Sequence, residues 1–361
     1  MRTFDVAVLG TGPVGLVAAL RISRAGRTVI VITKRLPGPD DLPRVDAVPA
    51  GFLAFLVELG IPPTVVGADR LHDVRLAAWE SEKPFASNTA KTAHLERPAL
   101  DLALLDLVLR TNRIPIEFEH RKLRTGGGVA GDGWRAAFVI DATGRAAVTA
   151  TKRIRPPRPW VARTFWTSRT ACEADAALSI AALPGGYAYR LGAASIMTLG
   201  VVGRGAAVSG SPFAVESHLR SYAPWLMEGW PALADMKPGP TRSACVQSTE
   251  GETTLRIGDA SLARDALASQ GIAAGISEAL LAAAVTGGND LALCRARQRE
   301  QYRAHLTSLL QVLDRSRYSG QAAWRDYRAF VAQHVEPAPL SSIAALRDGR
   351  IEATSAAGVS S

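Results

Sequence analysis

The sequence predicts an α/β fold in which a Rossmann-type domain with a parallel sheet is interleaved with an antiparallel-sheet domain and followed by C-terminal helices. Three observations predict it. A buried strand, a glycine-rich turn, a helix and a second strand follow one another in residues 5–32, which is the order of a βαβ unit. Apolar residues alternate in 187–191 and 196–202, as is typical of antiparallel strands. Residues 295–330 have a helical pattern rich in Arg, Tyr and Trp.

Composition limits the class of protein. The chain has 361 residues, 47% hydrophobic and 21% charged, which excludes a wholly disordered chain. Lys and Arg number 42 against 33 Asp and Glu, a net charge of +9, which suits nucleic acid, an anionic cofactor or an acidic protein partner. Cys172, Cys245 and Cys294 form no CxxC pair, so we expect no disulfide framework and no metal site.

The same survey predicts a cytoplasmic protein that binds neither membrane nor nucleic acid. The chain enters an apolar strand almost at once, and no apolar run reaches the roughly 18–20 residues that a membrane span needs. No helix-turn-helix, zinc-finger or RNP-like motif accompanies the basic residues.

The first glycine motif predicts a dinucleotide-binding site. A strand at residues 5–9 leads into GTGPVG, then a helix begins at Leu16 and a second strand covers 28–32. In this context the first glycine allows the tight turn, the second lets a pyrophosphate approach the backbone, and the third permits close packing of helix on strand. The helix N-terminus offers free N–H groups to the phosphates. The predicted cofactor-binding residues are Gly10, Gly12, Pro13, Val14 and Gly15.

The second strand ends without the carboxylate that usually holds the adenosine ribose. Thr33, Lys34 and Arg35 stand there instead. The threonine hydroxyl can bond a ribose oxygen, although less strongly than a charged acceptor. Lys34 and Arg35 could favour a 2′-phosphate, so NADP stays open as an alternative.

Two later motifs carry a resemblance. DATG occupies residues 141–144 after a predicted strand, and GD at 258–259 is followed by RDALASQGI at 264–272. Together with GxGxxG, these ordered motifs resemble the FAD-dependent monooxygenase and flavin-dependent halogenase superfamily over residues 6–330. The resemblance implies that Asp141 and Gly144 lie near the FAD pyrophosphate and that Asp259, after Gly258, accepts hydrogen bonds from the ribityl hydroxyls. It also implies a helix start facing the pyrimidine edge of the flavin, formed by Ser269, Gln270, Gly271 and Ile272.

Two shorter matches add candidates. RVDAVP at residues 44–49 stands where one branch of the superfamily carries R-x-G-E-x-x-P, and residues 94–101 match H-x-x-R-x-x-x-D. The resemblance implies that Arg97 contacts the FAD phosphates, which a guanidinium fork suits. Arg44 is a candidate for cofactor binding and catalysis, and His94 for catalysis. A solvated Arg44 and a histidine without chemistry stay open as alternatives.

The halogenase branch is disfavoured. Tyr187 and Tyr189 stand where halogenases carry W-x-W-x-I-P, and residues 72–79 contain no lysine where an active-site lysine is expected. The two tyrosines, Ser269 and Gln270 remain catalytic candidates. The closest resemblance is to the flavoproteins that mature tryptophylquinone cofactors by oxygenating a tryptophan of a partner polypeptide.

The predicted reaction is aromatic hydroxylation through a C4a-hydroperoxyflavin, on a tryptophan of an acidic protein or peptide substrate. NAD(P)H that binds transiently, or a separate flavin reductase, would supply the electrons. A small-molecule aromatic hydroxylase or atypical halogenase is one alternative, and a non-catalytic flavin-binding maturation chaperone is another.

The predicted domain organisation interleaves the two layers, with a loop or short helix at 222–240 beside the substrate opening. The FAD-binding domain is predicted at 1–68, 89–160 and 245–290, the substrate domain at 69–88 and 163–242, the C-terminal helices at 291–352 and a tail at 353–361.

Overall fold

The computed structural model describes residues 1–39, 41–118, 124–125, 129–131, 133–150, 158, 160–172, 177–233, 239–242, 254–285 and 291–335. Its strands are β1 (Arg2–Leu9), β2 (Val29–Thr33), β3 (Val45–Pro49), β4 (Leu71–Ala78), β5 (Phe85–Glu96), β6 (Ile116–Phe118), β7 (Arg124–Thr125), β8 (Val129–Gly131), β9 (Trp134–Asp141), β10 (Val161–Ser168), β11 (Ser179–Leu183), β12 (Gly186–Gly192), β13 (Ile196–Gly203), β14 (Gly239–Arg242) and β15 (Thr254–Arg256). Its helices are α1 (Pro13–Arg24), α2 (Gly51–Glu58), α3 (Arg97–Arg110), α4 (Pro212–Tyr222), α5 (Asp259–Leu262), α6 (Gly271–Val285), α7 (Leu291–Asp314) and α8 (Ala322–His334).

Parallel strands form the first layer in the order β6-β2-β1-β9, and β15 pairs with the far edge of β9. Leu9 lies opposite both Ile32 and Asp141, so the carboxyl ends of β1, β2 and β9 meet at one edge. The glycine motif and the DATG motif both follow this edge. Open parallel sheets of this kind bind their ligands beyond the carboxyl ends of the strands.

Helices α1, α3 and α6 cover one face of this layer. Leu16, Leu104 and Ile276 pack against Val6 and Val8 in one buried cluster. The strands are nearly continuous apolar runs because both of their faces are covered. The predicted Rossmann-type parallel layer is therefore confirmed.

The second layer is an eight-stranded sheet in the order β14-β10-β13-β12-β11-β4-β5-β3 within the described residues. Its pairs are antiparallel, except that β4 runs parallel to β11. The sheet curls so that β3 returns to β13, where the Val45 N–H donates to Thr198 Oγ1 at 2.9 Å. Strand β3 and the end of β5 therefore belong to this sheet, although they fall inside the predicted ranges 1–68 and 89–160. The domain boundaries themselves stay a prediction.

Residues 222–233 of the segment expected beside the substrate opening lie elsewhere, and residues 234–238 lie outside the described part of the chain. Leu226, Met227 and Trp230 are buried in a cluster with Met197 and Leu199, on the face of the second sheet away from the cavity described below. None of residues 222–233 lines that cavity, because their apolar side chains are used to cover the outer face of the sheet.

The C-terminal helices pack against the second sheet rather than standing apart. Trp324 is 1% exposed, and its Nε1 donates to Leu183 O at 3.0 Å. Trp79 Nε1 donates to Val312 O at 2.7 Å, and Trp160 stacks on Tyr327 with ring centroids 4.4 Å apart. These aromatic residues form part of the core, so α7 and α8 are a helical pair packed on the second sheet.

Cys245 and residues 336–361, which include the predicted tail, lie outside the described residues. Among the described helices, none is long and apolar enough to cross a membrane.

Candidate cofactor and active site

A cavity of about 1510 Å³ lies between the carboxyl edge of the parallel sheet and the inner face of the second sheet. Small-ligand pockets usually measure about 300–1,000 Å³, so this one has room for a dinucleotide and a second ligand. One wall consists of the loops after β1, β2, β9 and β15. The opposite wall carries the largely apolar side chains Leu178, Ile180, Tyr189 and Leu191.

Most of the predicted site residues meet at this cavity. The structure places the following along its walls: Gly10, Gly12, Pro13, Val14, Thr33, Lys34, Arg35, Arg44, Arg97, Gly144, Tyr189, Gly258, Asp259, Ser269, Gln270, Gly271 and Ile272.

The glycine motif forms a cradle that fits a pyrophosphate. Gly10 has φ +106°, and a Cβ on it would meet Ala142 O at 2.7 Å. A Cβ on Gly15 would meet Gly10 O at 2.2 Å, so this residue lets helix pack on strand, as predicted. A Cβ on Gly12 would meet nothing closer than Arg97 Nη2 at 3.9 Å. No side chain caps the start of α1, which leaves its N–H groups to an anion.

Arg97 is held beside that cradle by two carboxylates. Its Nε donates to both oxygens of Asp101, at 2.8 and 2.9 Å, and its Nη1 lies 3.4 Å from Asp46 Oδ2. Arg44 Nε also lies 3.5 Å from Asp46 Oδ2. Burial lowers the pKa of Arg97, but the two carboxylates outweigh it and the pKa is raised. The guanidinium is thus charged and oriented toward the glycine motif, which suits phosphate binding.

The end of β2 carries a threonine hydroxyl in place of a carboxylate. Thr33 Oγ1 donates to Arg35 O at 2.6 Å and lies 3.0 Å from Thr11 Oγ1, so its proton is already used within the turn. Arg35 pairs with Asp41, whereas Lys34 is exposed.

The other end of the cavity presents a carboxylate and a helix start. Asp259 follows Gly258, which has φ +60°, and lies 3.2 Å from Arg145 Nε. Helix α6 begins at Gly271, and the preceding Ser269 has φ +48°, a left-handed conformation that is uncommon outside glycine. The positive end of α6 therefore faces the cavity, where it would stabilise negative charge.

A buried ion pair fixes this end of the cavity. Arg264 Nη2 and Glu278 Oε1 are 3.0 Å apart, with side chains 2% and 0% exposed. The other Glu278 oxygen accepts from the Gly258 N–H at 2.8 Å and from Gln298 Nε2 at 3.2 Å. One carboxylate thus joins α6, α7 and the turn that carries Asp259.

A second buried network holds Asp265, which lines the cavity. The hydroxyls of Tyr187 and Tyr327 each donate to it at 2.6 Å, one to each oxygen. Burial raises the pKa of Tyr187 well above its ordinary value, and the Asp265 charge adds to the effect, so the phenol stays protonated and donates. The role of Asp265 as the acceptor of two tyrosine hydroxyls at the cavity wall was not predicted from the sequence. Its place in the RDALASQGI motif was the available signal.

Four predicted residues do not line the cavity, and Gly15, which packs helix α1 on its strand, is one of them. Tyr187 is fully buried beneath it and supports Asp265. His94 is fully buried between strands, with its ring stacked on His72 at 3.9 Å and its Nδ1 2.9 Å from Gly192 O. Asp141 accepts from the backbone N–H groups of Thr143 at 3.0 Å and Thr149 at 2.9 Å. These positions correspond to packing and loop folding rather than to ligand contact.

The stability of the protein is expected to fall in mild acid through His305. Its Nε2 accepts the Asp265 N–H at 3.3 Å, and burial lowers its pKa from 6.5 to about 4. Because the unfolded chain takes up the proton first, this stabilisation is complete above about pH 6.5 and is lost as the pH falls towards 4.

Urea unfolding at neutral pH and near pH 5 checks this expectation. The wild type should lose about 2 kcal/mol more between the two conditions than His305→Gln, whose side-chain oxygen can accept the same N–H. The matched control His334→Gln, at a histidine on α8 with no buried partner in the network, should behave as the wild type. Equal losses in all three proteins would show that His305 is not kept neutral by the fold.

Comparisons with known proteins agree with this architecture. No protein-family model and no curated protein matches the sequence. Among solved structures, the chain resembles the peptidyl tryptophan dihydroxylase QhpG, described as essential for tryptophylquinone cofactor biogenesis, with a TM-score of 0.72 and 22% identity over 91% of this chain and 79% of that one. It resembles the myxobacterial chondrochloren halogenase CndH with a TM-score of 0.72 and 16% identity, over 96% and 89% of the two chains.

A third structure extends the range of neighbours. PqsL, a probable FAD-dependent monooxygenase from Pseudomonas aeruginosa, matches with a TM-score of 0.68 and 15% identity, over 92% of this chain and all (100%) of that one. Halogenases and monooxygenases thus share the two-layer architecture described above. The chain has the fold of the FAD-dependent monooxygenases and flavin-dependent halogenases.

Proposed function

We propose that the protein is an FAD-dependent monooxygenase that hydroxylates an aromatic ring, and that its target is a tryptophan of a partner polypeptide. One observation carries the proposal. A single cavity joins a phosphate cradle and a helix start on one wall to an apolar wall opposite, and it is larger than one small ligand needs. FAD bound there, once reduced by an external donor, would pass two electrons to O₂ and so activate it.

The residues present fit FAD. The Gly10–Gly12–Gly15 turn, the start of α1 and the charged Arg97 would bind the pyrophosphate, and Asp259 would accept hydrogen bonds from ribityl hydroxyls. The start of α6, from Gly271, would stabilise negative charge on the ring edge.

The opposite wall would orient the substrate and exclude water. Ile180 and Leu191 are apolar and nearly buried, at 6% and 3% exposure. Burial raises the pKa of Tyr189 to about 12, so its phenol stays protonated at neutral pH and can donate a hydrogen bond to a ligand oxygen. An apolar wall with a few placed polar groups is typical of a pocket for an aromatic ligand.

One observation favours a polypeptide target, and another disfavours halogenation. A structure that this fold resembles, QhpG, is described as a peptidyl tryptophan dihydroxylase. The stretch 72–79, where halogenases carry an active-site lysine, contains none here. The net charge of +9 would speed encounter with an acidic partner. NAD(P)H or a separate reductase would deliver the electrons.

One observation favours a second candidate function, a flavin-binding protein that escorts its partner without turnover. The Thr33 hydroxyl is used within its own turn, so the ribose lacks the usual charged acceptor and FAD retention would be weak.

Purified protein separates the two candidates. We expect a bound-flavin absorption spectrum and, after reduction, a reoxidation by O₂ that leaves a tryptophan-containing peptide heavier by oxygen. The same protein without the reduction step serves as the control. Flavin binding without any oxygen-dependent mass gain on peptides or on small aromatics such as indole and phenol would favour the escort function instead.

A further inference from the structure

The basic side chains along the cavity are almost all paired with carboxylates. Arg97 and Arg44 pair with Asp46, Arg145 with Asp259, and Arg264 with Glu278. Arg35 pairs with Asp41. The two remaining basic side chains, Lys34 and Arg75, have no carboxylate within 4.0 Å in the part of the chain that the structure describes. Lys34 is exposed at the end of β2, whereas Arg75 is half-buried. Arg75 is therefore the basic side chain of the cavity that has neither a carboxylate partner nor full access to solvent.

Arg75 lies on β4, in the wall formed by the second sheet. It shares a face of that strand with Ala77, which is buried. The next residue, Leu76, donates its N–H to Leu178 O at 3.0 Å, which places Arg75 beside Leu178. Leu178, Ile180 and Leu191 line the same part of the cavity. Arg75 thus stands in the apolar wall, away from the phosphate cradle.

The Arg75 side chain is half-buried, and among the described residues its Nε is shielded from solvent without a hydrogen-bond partner. A ligand carboxylate would give this N–H an acceptor and would pair with the guanidinium charge.

The chain's own carboxylates in the cavity are already engaged. Asp265 is bound by two tyrosine hydroxyls, and Asp41, Asp46, Asp101 and Asp259 each pair with an arginine other than Arg75. Among the described residues that line the cavity, no carboxylate is left for Arg75, and a ligand that carries one would supply it.

We propose that Arg75 binds a carboxylate of the aromatic substrate and so selects substrates that carry an acid group beside the ring to be oxygenated. The inference rests on the proposed function for treating the cavity as a substrate site. A planar guanidinium with two parallel N–H groups matches a carboxylate bidentately. The acid group could be an Asp or Glu side chain next to the target tryptophan, or the carboxylate of a small aromatic acid, and the experiment distinguishes these sources.

The first arm measures retention of peptides by the FAD-loaded protein. A mixture of tryptophan-centred pentapeptides, randomised at the neighbouring positions, is equilibrated with the protein, and retained peptides are identified by mass spectrometry. The wild type should enrich Asp and Glu over Asn and Gln by about 10- to 100-fold, as expected for hydrogen bonds between charged groups. Arg75→Gln should abolish the enrichment, and Arg75→Glu should favour Lys and Arg instead.

The second arm tests a small acid. Equilibrium dialysis compares indole-3-acetate with indole-3-acetamide, and a preference of the wild type for the acid that Arg75→Gln removes would identify a small-molecule source. Arg113→Gln is the matched control, because Arg113 is exposed and lies outside the cavity lining yet its loss lowers the net charge equally. This control should keep the wild-type preference in both arms.

Retention without a carboxylate preference, or no retention of any peptide or acid, overturns the proposal that Arg75 binds a substrate carboxylate. So does an equal loss in Arg113→Gln, which would show that net charge acts rather than Arg75. A fall in FAD affinity of Arg75→Gln by about tenfold would assign Arg75 to the cofactor. Since neither arm needs turnover, a carboxylate preference without oxygenated product would overturn the proposed function and leave this inference standing.

Discussion

Replacing Glu278 with alanine is expected to lower the free energy of unfolding by about 3–5 kcal/mol, because it leaves Arg264 as an uncompensated buried charge. The two side chains are 0% and 2% exposed and 3.0 Å apart. The change also removes the acceptor of the Gly258 N–H, so the turn that carries Asp259 should loosen and FAD affinity should fall together with stability. Chemical denaturation with and without FAD measures both effects.

The control is an ion pair of the same type on the surface. Asp106 pairs with Arg110 at 2.6 Å on α3, where the side chains are 52% and 74% exposed. Asp106→Ala should cost no more than about 0.5 kcal/mol. If Glu278→Ala cost as little as Asp106→Ala, the carboxylate would not be the joint between α6, α7 and the Gly258 turn.

Replacing Gly12 with valine is expected to weaken FAD binding by at least about 100-fold, or about 2.7 kcal/mol, without destabilising the FAD-free protein. The residue has φ −73° and ψ 170°, which any residue adopts. The nearest heavy atom to a Cβ there is 3.9 Å away. The added side chain would therefore fill space in the cavity where a pyrophosphate approaches the backbone. Flavin fluorescence titration measures the affinity, and thermal unfolding of the FAD-free protein measures stability.

Variants of two other glycines distinguish an effect on FAD binding from an effect on folding stability. Gly15→Ala should destabilise the FAD-free protein by about 1–3 kcal/mol, because its Cβ would meet Gly10 O at 2.2 Å. Gly51→Ala should change neither property appreciably, since a Cβ there meets nothing within 4 Å. Unchanged FAD affinity in Gly12→Val would mean that the cavity does not bind a pyrophosphate at this turn.

The parallel layer and the cradle were predictable because their signals are local. GxGxxG lies within six residues between a strand and a helix, so neighbours in sequence determine its geometry. Arg97 was predictable for a similar reason. It opens a helix, and its main partner Asp101 is one turn away.

The residues that hold the cavity wall in place make contacts between distant parts of the sequence, which no short motif predicts. Tyr187 and Tyr327 reach Asp265 from 78 and 62 residues away, and only the packing of α8 on the second sheet brings them together. A motif made His94 a candidate for catalysis, but β5 turns its side chain towards β12, where Nδ1 lies 2.9 Å from the acceptor Gly192 O. Arg75 was not predicted as a site residue, because its place in an apolar wall arises only from the pairing of β4 with β11.

The central claim is that this cavity holds FAD and oxygenates an aromatic ring. The most direct measurement supplies the reduced, FAD-loaded protein with isotopically labelled O₂ and the tryptophan-centred peptides, then analyses the peptides by mass spectrometry. We expect labelled oxygen on the tryptophan ring with the wild type and none with Gly12→Val. Bound, reoxidised flavin with no label on any peptide, indole or phenol would contradict it.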